Sequence, residues 1–138
     1  MKLIEEKRDL FSVDQKYALA HCISADYALG AGIAVEFNKR FNMRKRLEEI
    51  GSHMYPECVP VDNVFNLVTK EKCWHKPTYE TLSDSLLEMK EIIIYKGIKY
   101  LAMPRIGSGL DKLSWPKVKS LIEEIFSDLE IEILICYI

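Results

Sequence analysis

Apolar and polar positions along the chain follow two different periods, which predicts strands and helices in alternation. Short apolar runs of strand length recur between longer segments whose apolar residues have helical spacing. The predicted strands cover residues 2–6, 17–24, 58–62, 64–70, 100–104 and 130–138, and the predicted helices cover residues 30–41, 44–50, 78–96 and 115–129. Such alternation indicates an α/β protein in which helices cover both faces of a sheet. Only the turn Asp62-Asn63 separates the strands at 58–62 and 64–70, so we expect a mixed sheet.

The helix over residues 78–96 has the clearest pattern. Thr78 and Glu80 suit its first turn, and Gly97 is expected to end it. Its apolar face is predicted to contain Leu82, Leu86, Leu87, Met89, Ile93 and Ile94. The helix over 30–41 is opened by glycines, and the helix over 115–129 begins after Ser114.

Composition and charge narrow the class of protein. The chain has 138 residues, of which 49% are apolar and 29% charged, so we expect one globular domain spanning residues 1–138. The net charge of −2 gives no general attraction to nucleic acid or anionic membranes. The sequence opens without a signal-peptide pattern, and it has no run near the roughly 18 apolar residues that would cross a bilayer. A cytoplasmic monomer without membrane attachment is expected.

The cysteines and histidines give no metal-binding pattern. The four cysteines are scattered and form no C-x-x-C pair: Cys22, Cys58, Cys73 and Cys136. We expect all four to be reduced and structural, as is usual for thiols in the cytosol. The three histidines show no spacing typical of metal ligands, so neither a metal nor a cofactor is expected.

Candidate chemistry lies in three segments that follow predicted strands. "SADYALGAG" (24–32) and "RIGSG" (105–109) place glycines before helices, and the strand over 64–70 ends in Thr69 and Lys70. In α/β folds ligands bind beyond the carboxyl ends of the strands, where free backbone N–H groups at a helix start favour a phosphate. The glycines would also be compatible with ordinary turns. The spacing matches neither the dinucleotide fingerprint nor a nucleophile elbow around Ser108.

Several of these stretches together resemble the macrodomain family, in its branch of terminal ADP-ribose protein glycohydrolases. The matching stretches are "DLF" (9–11), "LAHCISADYALGAGIAVEF" (19–37), "NLVTK" (66–70), "HKPTYETLSDSLLEMK" (75–90) and "MPRIGSGLDKLSWPKV" (103–118). The resemblance implies a three-layer α/β/α sandwich around a mixed, roughly six-stranded sheet. It also implies that the chain binds ADP-ribose and removes it from a modified acceptor.

The resemblance implies a role for individual positions. Lys70 and Asp111 match the catalytic lysine and aspartate. The positions that match ligand-binding residues are Asp9, Leu10, Ser24, Gly30, Ala31, Gly32, Arg105, Ile106, Gly107, Ser108, Gly109, Leu110 and Ile138. Asp9 and Leu10 match the adenine side, and Ser24 lies near the distal ribose. The best-known relative has cysteine where this chain has Ser108. Residues between 41 and 64 match poorly, and no loop is expected beyond Ile138 to stack on the adenine.

The acceptor stays open at this point. The resemblance favours ADP-ribosylated protein with an ester link to glutamate or aspartate, or O-acetyl-ADP-ribose. Related macrodomains instead remove ADP-ribose from thymine in DNA, and a third alternative is a non-catalytic ADP-ribose reader. Having both Lys70 and Asp111 argues against the reader. An unprotonated lysine can attack the anomeric carbon and form a Schiff base, with Asp111 transferring protons.

Overall fold

All six predicted strands form one mixed sheet in the computed structural model, which describes residues 1–138. They are β1 (Lys2–Lys7), β2 (Ala18–Ser24), β3 (Glu57–Val61), β4 (Val64–Lys70), β5 (Tyr100–Met103) and β6 (Glu132–Tyr137). Their order across the sheet is β1-β6-β5-β2-β4-β3. Neighbouring strands are parallel except β3, which runs antiparallel to β4. The predicted α/β fold class is therefore confirmed.

Four α-helices cover the sheet on both faces. They are α1 (Ile33–Phe41), α2 (Met43–Ile50), α3 (Tyr79–Lys96) and α4 (Trp115–Phe126), and a short 3-10 helix spans Leu10–Ser12. Side chains of a strand alternate between faces. In β6, Ile133 and Ile135 pack with α3 and α4, whereas Leu134 and Cys136 pack with α1 and α2. This alternation produces the three-layer arrangement, and no helix is both long and apolar enough to cross a bilayer.

Some element boundaries and faces differ from the sequence-based expectation. The first helix begins at Ile33 rather than residue 30, because Gly32 has φ +60° and ψ −150°, which is not helical. The last helix ends at Phe126. On α3 the prediction that Leu87 and Ile94 belong to the buried face is wrong, since both are exposed. Each follows a buried residue by one position, which rotates its side chain about 100° away from the stripe that contacts the sheet.

A histidine lies entirely inside the layer between the sheet and α1. His21 shares a 2.6 Å hydrogen bond between Nε2 and Oδ1 of Asn66, whose Nδ2 donates to the carbonyl of Val59 at 3.0 Å. The imidazole stacks on Phe37 with ring centroids 3.8 Å apart, and its Nδ1 has no hydrogen-bond partner. Burial lowers the pKa of His21 to about 4, although the bond to Asn66 acts in the opposite direction. The folded protein therefore keeps this ring neutral.

We expect acidification to destabilise the fold through His21. The ordinary pKa of 6.5 applies to the unfolded chain, so the unfolded state binds more protons between pH 4 and 6.5. The free energy of unfolding therefore falls as the pH drops through this window, by on the order of 3 kcal/mol from this group. Urea unfolding at pH 7 and at pH 4.5 measures the loss, and His21→Gln should show a smaller one. Equal losses in the two proteins would contradict the assignment to His21.

Candidate active site

A cleft of about 520 Å³ opens at the carboxyl edge of the sheet. Because β2, β4 and β5 are parallel, the loops that follow them meet at this edge. The predicted site residues that line the cleft are Ser24, Gly30, Ala31, Gly32, Lys70, Arg105, Ile106, Gly107, Gly109, Leu110 and Asp111. Residues as far apart in the sequence as Ser24 and Asp111 therefore line one concave surface.

Lys70 and Asp111 are in direct contact inside this cleft. Lys70 is the last residue of β4, and Asp111 lies in the loop between β5 and α4. The Nζ of Lys70 donates to Oδ1 of Asp111 at 2.7 Å, and each side chain is only 14% exposed. Burying a charged amine or a charged carboxylate costs free energy, and pairing the two groups offsets that cost. The same contact allows a proton to pass directly between the two groups.

Two glycine-containing loops approach each other across the cleft. Gly32 precedes α1, whose start has no side-chain cap, and Ile33 and Ala34 of its first turn line the cleft. A Cβ added at Gly32 would lie 3.5 Å from Cδ1 of Leu110 in the opposite loop. Uncapped N–H groups at a helix start attract anions. This part of the cleft can therefore accept a phosphate group close to the backbone.

Gly107 holds the second loop against the core. Its φ is +72°, and an added Cβ would approach Cδ1 of Leu113 to 3.1 Å and Cδ2 of Leu82 to 3.4 Å. A larger residue would be strained by both the backbone conformation and the contact. The loop can therefore lie flat on α3 only with glycine at this position.

The polar groups of Ser108 and Arg105 are engaged within the protein. The Ser108 hydroxyl donates to the carbonyl of Arg105 at 2.6 Å, and Ser108 is the one residue of 105–111 that does not line the cleft. The guanidinium of Arg105 lies 4.0 Å from the ring centroid of Tyr137, and its Nε donates to Glu5 at 3.4 Å. These contacts fasten the loop to itself and to strands β1 and β6.

Besides Ser108, three predicted ligand-binding residues lie outside the cleft but on the same edge of the sheet. The N–H of Arg8 donates to the carbonyl of Tyr137 at 2.9 Å, so the chain segments at Asp9 and Ile138 leave neighbouring strands. Oδ1 of Asp9 accepts from the N–H of Phe11 at 2.9 Å, and Leu10 is buried in the layer under α1. Ile138 is exposed. This group follows the ends of β1 and β6, next to the strands that form the cleft.

Sequence reasoning missed an aspartate that joins two of the loops. Oδ1 of Asp26 accepts from the hydroxyl of Ser24 at 2.5 Å and from the N–H of Ala28 at 3.1 Å, and Oδ2 accepts from the N–H of Cys73 at 2.9 Å. Burial would raise the pKa of this carboxyl, but these hydrogen bonds outweigh it and lower the pKa. An acid two residues after a strand is a signal for such a turn.

Lys76 was also missed, although it lies in a matching stretch. It lines the cleft, and its Nζ donates to the carbonyl of Leu110 at 2.6 Å. The bond joins the segment after Lys70 to the loop that contains Asp111. Nothing in the spacing of the sequence predicts this contact, because the two residues are 34 positions apart.

The Cys22 thiol in the cleft is not activated as a nucleophile. Burial raises the pKa of the Cys22 thiol to about 12, so the thiol stays protonated near neutral pH. Cys73 lines the cleft and is exposed, so the expectation that all four cysteines are structural is wrong for this residue. All four are free. No group of three or more His, Cys, Asp or Glu side chains is placed to hold a metal ion.

Comparisons with known proteins give matches over nearly the whole chain, although no protein-family model matches it. The human ADP-ribose glycohydrolase OARD1 is 41% identical over 138 residues, covering 94% of this chain and 87% of the human protein. The macrodomain of Thermus aquaticus DarG superposes with a TM-score of 0.84 at 22% identity, covering 99% of this chain and 98% of that one. Thermosipho africanus DarTG in complex with ADP-ribose superposes with a TM-score of 0.82 at 18% identity, covering 98% of this chain and 41% of that one.

Proposed function

The chain belongs to the macrodomain family, and we propose that it is an ADP-ribosyl hydrolase that uses Lys70 and Asp111 to release ADP-ribose from a modified acceptor. The observation that supports this most directly is the 2.7 Å contact between Nζ of Lys70 and Oδ1 of Asp111 in a cleft lined by glycines. A module that only binds ADP-ribose has no need for a shielded amine next to a carboxylate. The 41% identity to the human ADP-ribose glycohydrolase OARD1 supports the release of ADP-ribose as the reaction.

The site residues lie in an order that suits the parts of ADP-ribose. Between β1 and β4 the sheet has four inter-strand spacings, about 19 Å in all. We place the adenine at the β1 end, near Asp9, Leu10 and Ile138. The diphosphate lies against Gly30–Gly32 and the start of α1, where N–H groups face an anion. The distal ribose then reaches Lys70 and Asp111 at the β4 end.

The Lys70–Asp111 pair supplies a nucleophile and a proton carrier. Asp111 takes a proton from Nζ, and the freed electron pair attacks C1″ of the distal ribose. The C–N bond forms as the bond from C1″ to the acceptor oxygen breaks, and the acceptor leaves with that electron pair as a carboxylate. Ring opening, with a proton to the ring oxygen, gives a Schiff base. Water then adds to the imine carbon, and the C–N bond breaks to leave an open-chain aldehyde and the free amine of Lys70. A ribose hydroxyl adds to the aldehyde, which closes the ring and gives ADP-ribose.

An ester-linked acceptor fits this site better than DNA. A carboxylate of glutamate or aspartate leaves C1″ readily with the bonding electron pair. O-acetyl-ADP-ribose would be deacylated at the same site by a different step, in which Asp111 takes a proton from water, the water oxygen attacks the acyl carbon, and the ribose hydroxyl leaves with a returned proton. A DNA substrate needs basic side chains that follow its backbone. The densest basic cluster consists of Arg40, Arg44, Lys45 and Arg46, and the acids Glu48 and Glu49 follow it directly. Two of its four cations are paired, Arg40 with Glu36 at 2.8 Å and Arg46 with Asp62 at 2.7 Å.

Two features of the chain bear on the oligomeric state and the cellular location of the enzyme. The loops after β2, β4 and β5 enclose the cleft together with Lys70 and Asp111, so one copy forms a continuous site and we expect a monomer to be active. Four free thiols, one of them exposed at the cleft, suit the reducing conditions of the cytoplasm.

The test compares three substrates under the same conditions. We expect the purified protein to release ADP-ribose from glutamate-linked ADP-ribosylated protein and from O-acetyl-ADP-ribose at least about tenfold faster than from thymidine-linked ADP-ribosylated DNA. Chromatography of the released ADP-ribose measures the rates. Calorimetry with free ADP-ribose is run in parallel. Binding of ADP-ribose without its release from any of the three substrates would contradict the proposed hydrolase and favour a reader. Fastest release from DNA would contradict the proposed ester-linked acceptor.

A further inference from the structure

Four residues form a rim of the cleft near Lys70 and Asp111, and two of them expose large apolar side chains. Cys73 and Lys76 line the cleft, and Trp74 between them is 71% exposed. On the opposite side, Leu110 immediately precedes Asp111 and is 62% exposed. The bond from Lys76 Nζ to the carbonyl of Leu110 joins the two sides at 2.6 Å. We call Cys73, Trp74, Lys76 and Leu110 the rim.

The backbone around Trp74 is held in place by local hydrogen bonds. The N–H of Cys73 donates to Asp26 at 2.9 Å, and the N–H of His75 donates to the carbonyl of Lys72 at 3.0 Å. The N–H of Lys72 in turn donates to Nδ1 of His75 at 3.3 Å, and the indole meets the imidazole edge-on at 5.5 Å. An exposed indole on a backbone that is held in place offers a large apolar surface, and its two side-chain torsions leave little entropy to lose on binding.

The proposed binding mode directs the acceptor toward the rim. Under the proposed function the ADP part of the substrate extends from Lys70 toward β1, across the ends of β2, β5 and β6. The acceptor is attached to C1″ of the distal ribose, so it continues from Lys70 in another direction. The segment 71–76 follows Lys70 directly, and Leu110 adjoins Asp111. The chain on the far side of the scissile bond therefore passes the rim.

We propose that Trp74, together with Leu110, is a specificity-determining contact for the acceptor polypeptide of an ADP-ribosylated protein, an inference that rests on the proposed function. The ring contacts apolar portions of the residues that flank the modified glutamate or aspartate. The indole touches neither the ADP-ribose part nor the reacting atoms, so it discriminates between substrates by their acceptors.

The charges around the rim favour a polypeptide over a nucleic acid. Single-stranded nucleic acid is bound by aromatic stacking combined with a basic groove that follows the backbone. Near Trp74 the cations Lys72 and Lys76 are interspersed with Glu71 and Asp26. The basic cluster that contains Arg46 is far from Trp74. Arg46 pairs with Asp62, which lies in the β3–β4 turn at the opposite end of β4 from Lys70. No basic groove therefore continues from the indole.

The decisive experiment compares Trp74→Ala on two substrates that share ADP-ribose but differ in the acceptor. For glutamate-linked ADP-ribosylated protein we expect kcat/KM to fall roughly tenfold, mainly through KM, as is typical of truncating an aromatic contact residue. For O-acetyl-ADP-ribose, which carries only an acetyl group and no polypeptide, we expect a change of less than about twofold. Trp74→Phe should restore most of the lost efficiency. Tyr95→Ala, at a 91% exposed aromatic on α3, serves as the matched control and should act like the wild type.

Three results would overturn the proposal in different ways. Equal losses on both substrates would mean that Trp74 supports the fold or the binding and reaction of ADP-ribose itself. No loss on either substrate would mean that Trp74 does not contact the acceptor. A larger loss on thymidine-linked ADP-ribosylated DNA than on protein would assign the ring to a nucleobase. If the wild type hydrolyses neither protein-linked nor acetyl-linked substrate, the proposed function itself fails and the role of Trp74 fails with it.

Discussion

Lys70→Ala should abolish the release of ADP-ribose and leave its binding nearly intact. We expect kcat on glutamate-linked ADP-ribosylated protein to fall at least about a thousandfold, because the variant lacks the nucleophile and the proton donor to Asp111. The affinity for ADP-ribose should change by less than about tenfold, since in the proposed binding mode Lys70 meets only the distal ribose. Single-turnover kinetics and calorimetry measure the two quantities. Full activity of the variant on both ester and DNA substrates would exclude the lysine mechanism.

The folding of this variant needs its own measurement. Lys70 is largely buried and paired, so its removal leaves the carboxylate of Asp111 shielded without its partner, which is destabilising. Lys70→Met fills the same volume, and the double change with Asp111→Asn removes the unpaired charge. Thermal unfolding of all three separates lost stability from lost chemistry. Asp111→Ala should also stop turnover.

Ser108→Ala provides a matched control within the same loop system. Its hydroxyl bonds to the carbonyl of Arg105 and does not line the cleft, so we expect the variant to keep most of the activity.

The covalent mechanism predicts a detectable adduct on Lys70. Incubation of the wild type with ADP-ribose should slowly add the ADP-ribosyl mass at Lys70, which peptide mass spectrometry detects.

The strand and helix periodicity predicted the α/β fold, and the fold in turn predicted that Lys70 and Asp111 lie close together. Lys70 ends β4, and Asp111 follows β5 by a few residues, so parallel strands place both at the same edge of the sheet. That inference needs only the side on which parallel strands end. The family resemblance then assigned their roles, which the sequence pattern alone leaves open.

Side-chain directions inside the loops could not be predicted in this way. Asp26 and Lys76 form contacts with residues 47 and 34 positions away, and Ser108 directs its hydroxyl back into its own turn. These outcomes depend on how separate loops pack after folding. The start of α1 was misplaced for a related reason. Glycine permits both a helix and the conformation at φ +60° that Gly32 adopts, so its presence does not locate the first turn.

Gly32→Glu should abolish ADP-ribose binding, which we expect to weaken at least about a hundredfold. A Cβ at this position would point toward Leu110, 3.5 Å away across the cleft, so the longer side chain must occupy the space between the loops. Its carboxylate would then stand against the diphosphate, and like charges at such a contact cost several kcal/mol. The backbone at φ +60° and ψ −150° adds strain of about 1–3 kcal/mol for any residue other than glycine.

Two matched variants separate these causes. Gly32→Ala adds the strain and one methyl group, and Gly32→Gln adds the bulk of glutamate without its charge. Calorimetry with ADP-ribose should give affinities in the order wild type, alanine, glutamine and glutamate. The step from glutamine to glutamate should shrink as salt is added, because salt screens the repulsion between the carboxylate and the diphosphate. Equal affinities for glutamine and glutamate would make the block purely steric. Unchanged affinity in Gly32→Glu, with the fold verified by circular dichroism, would exclude the diphosphate from this loop.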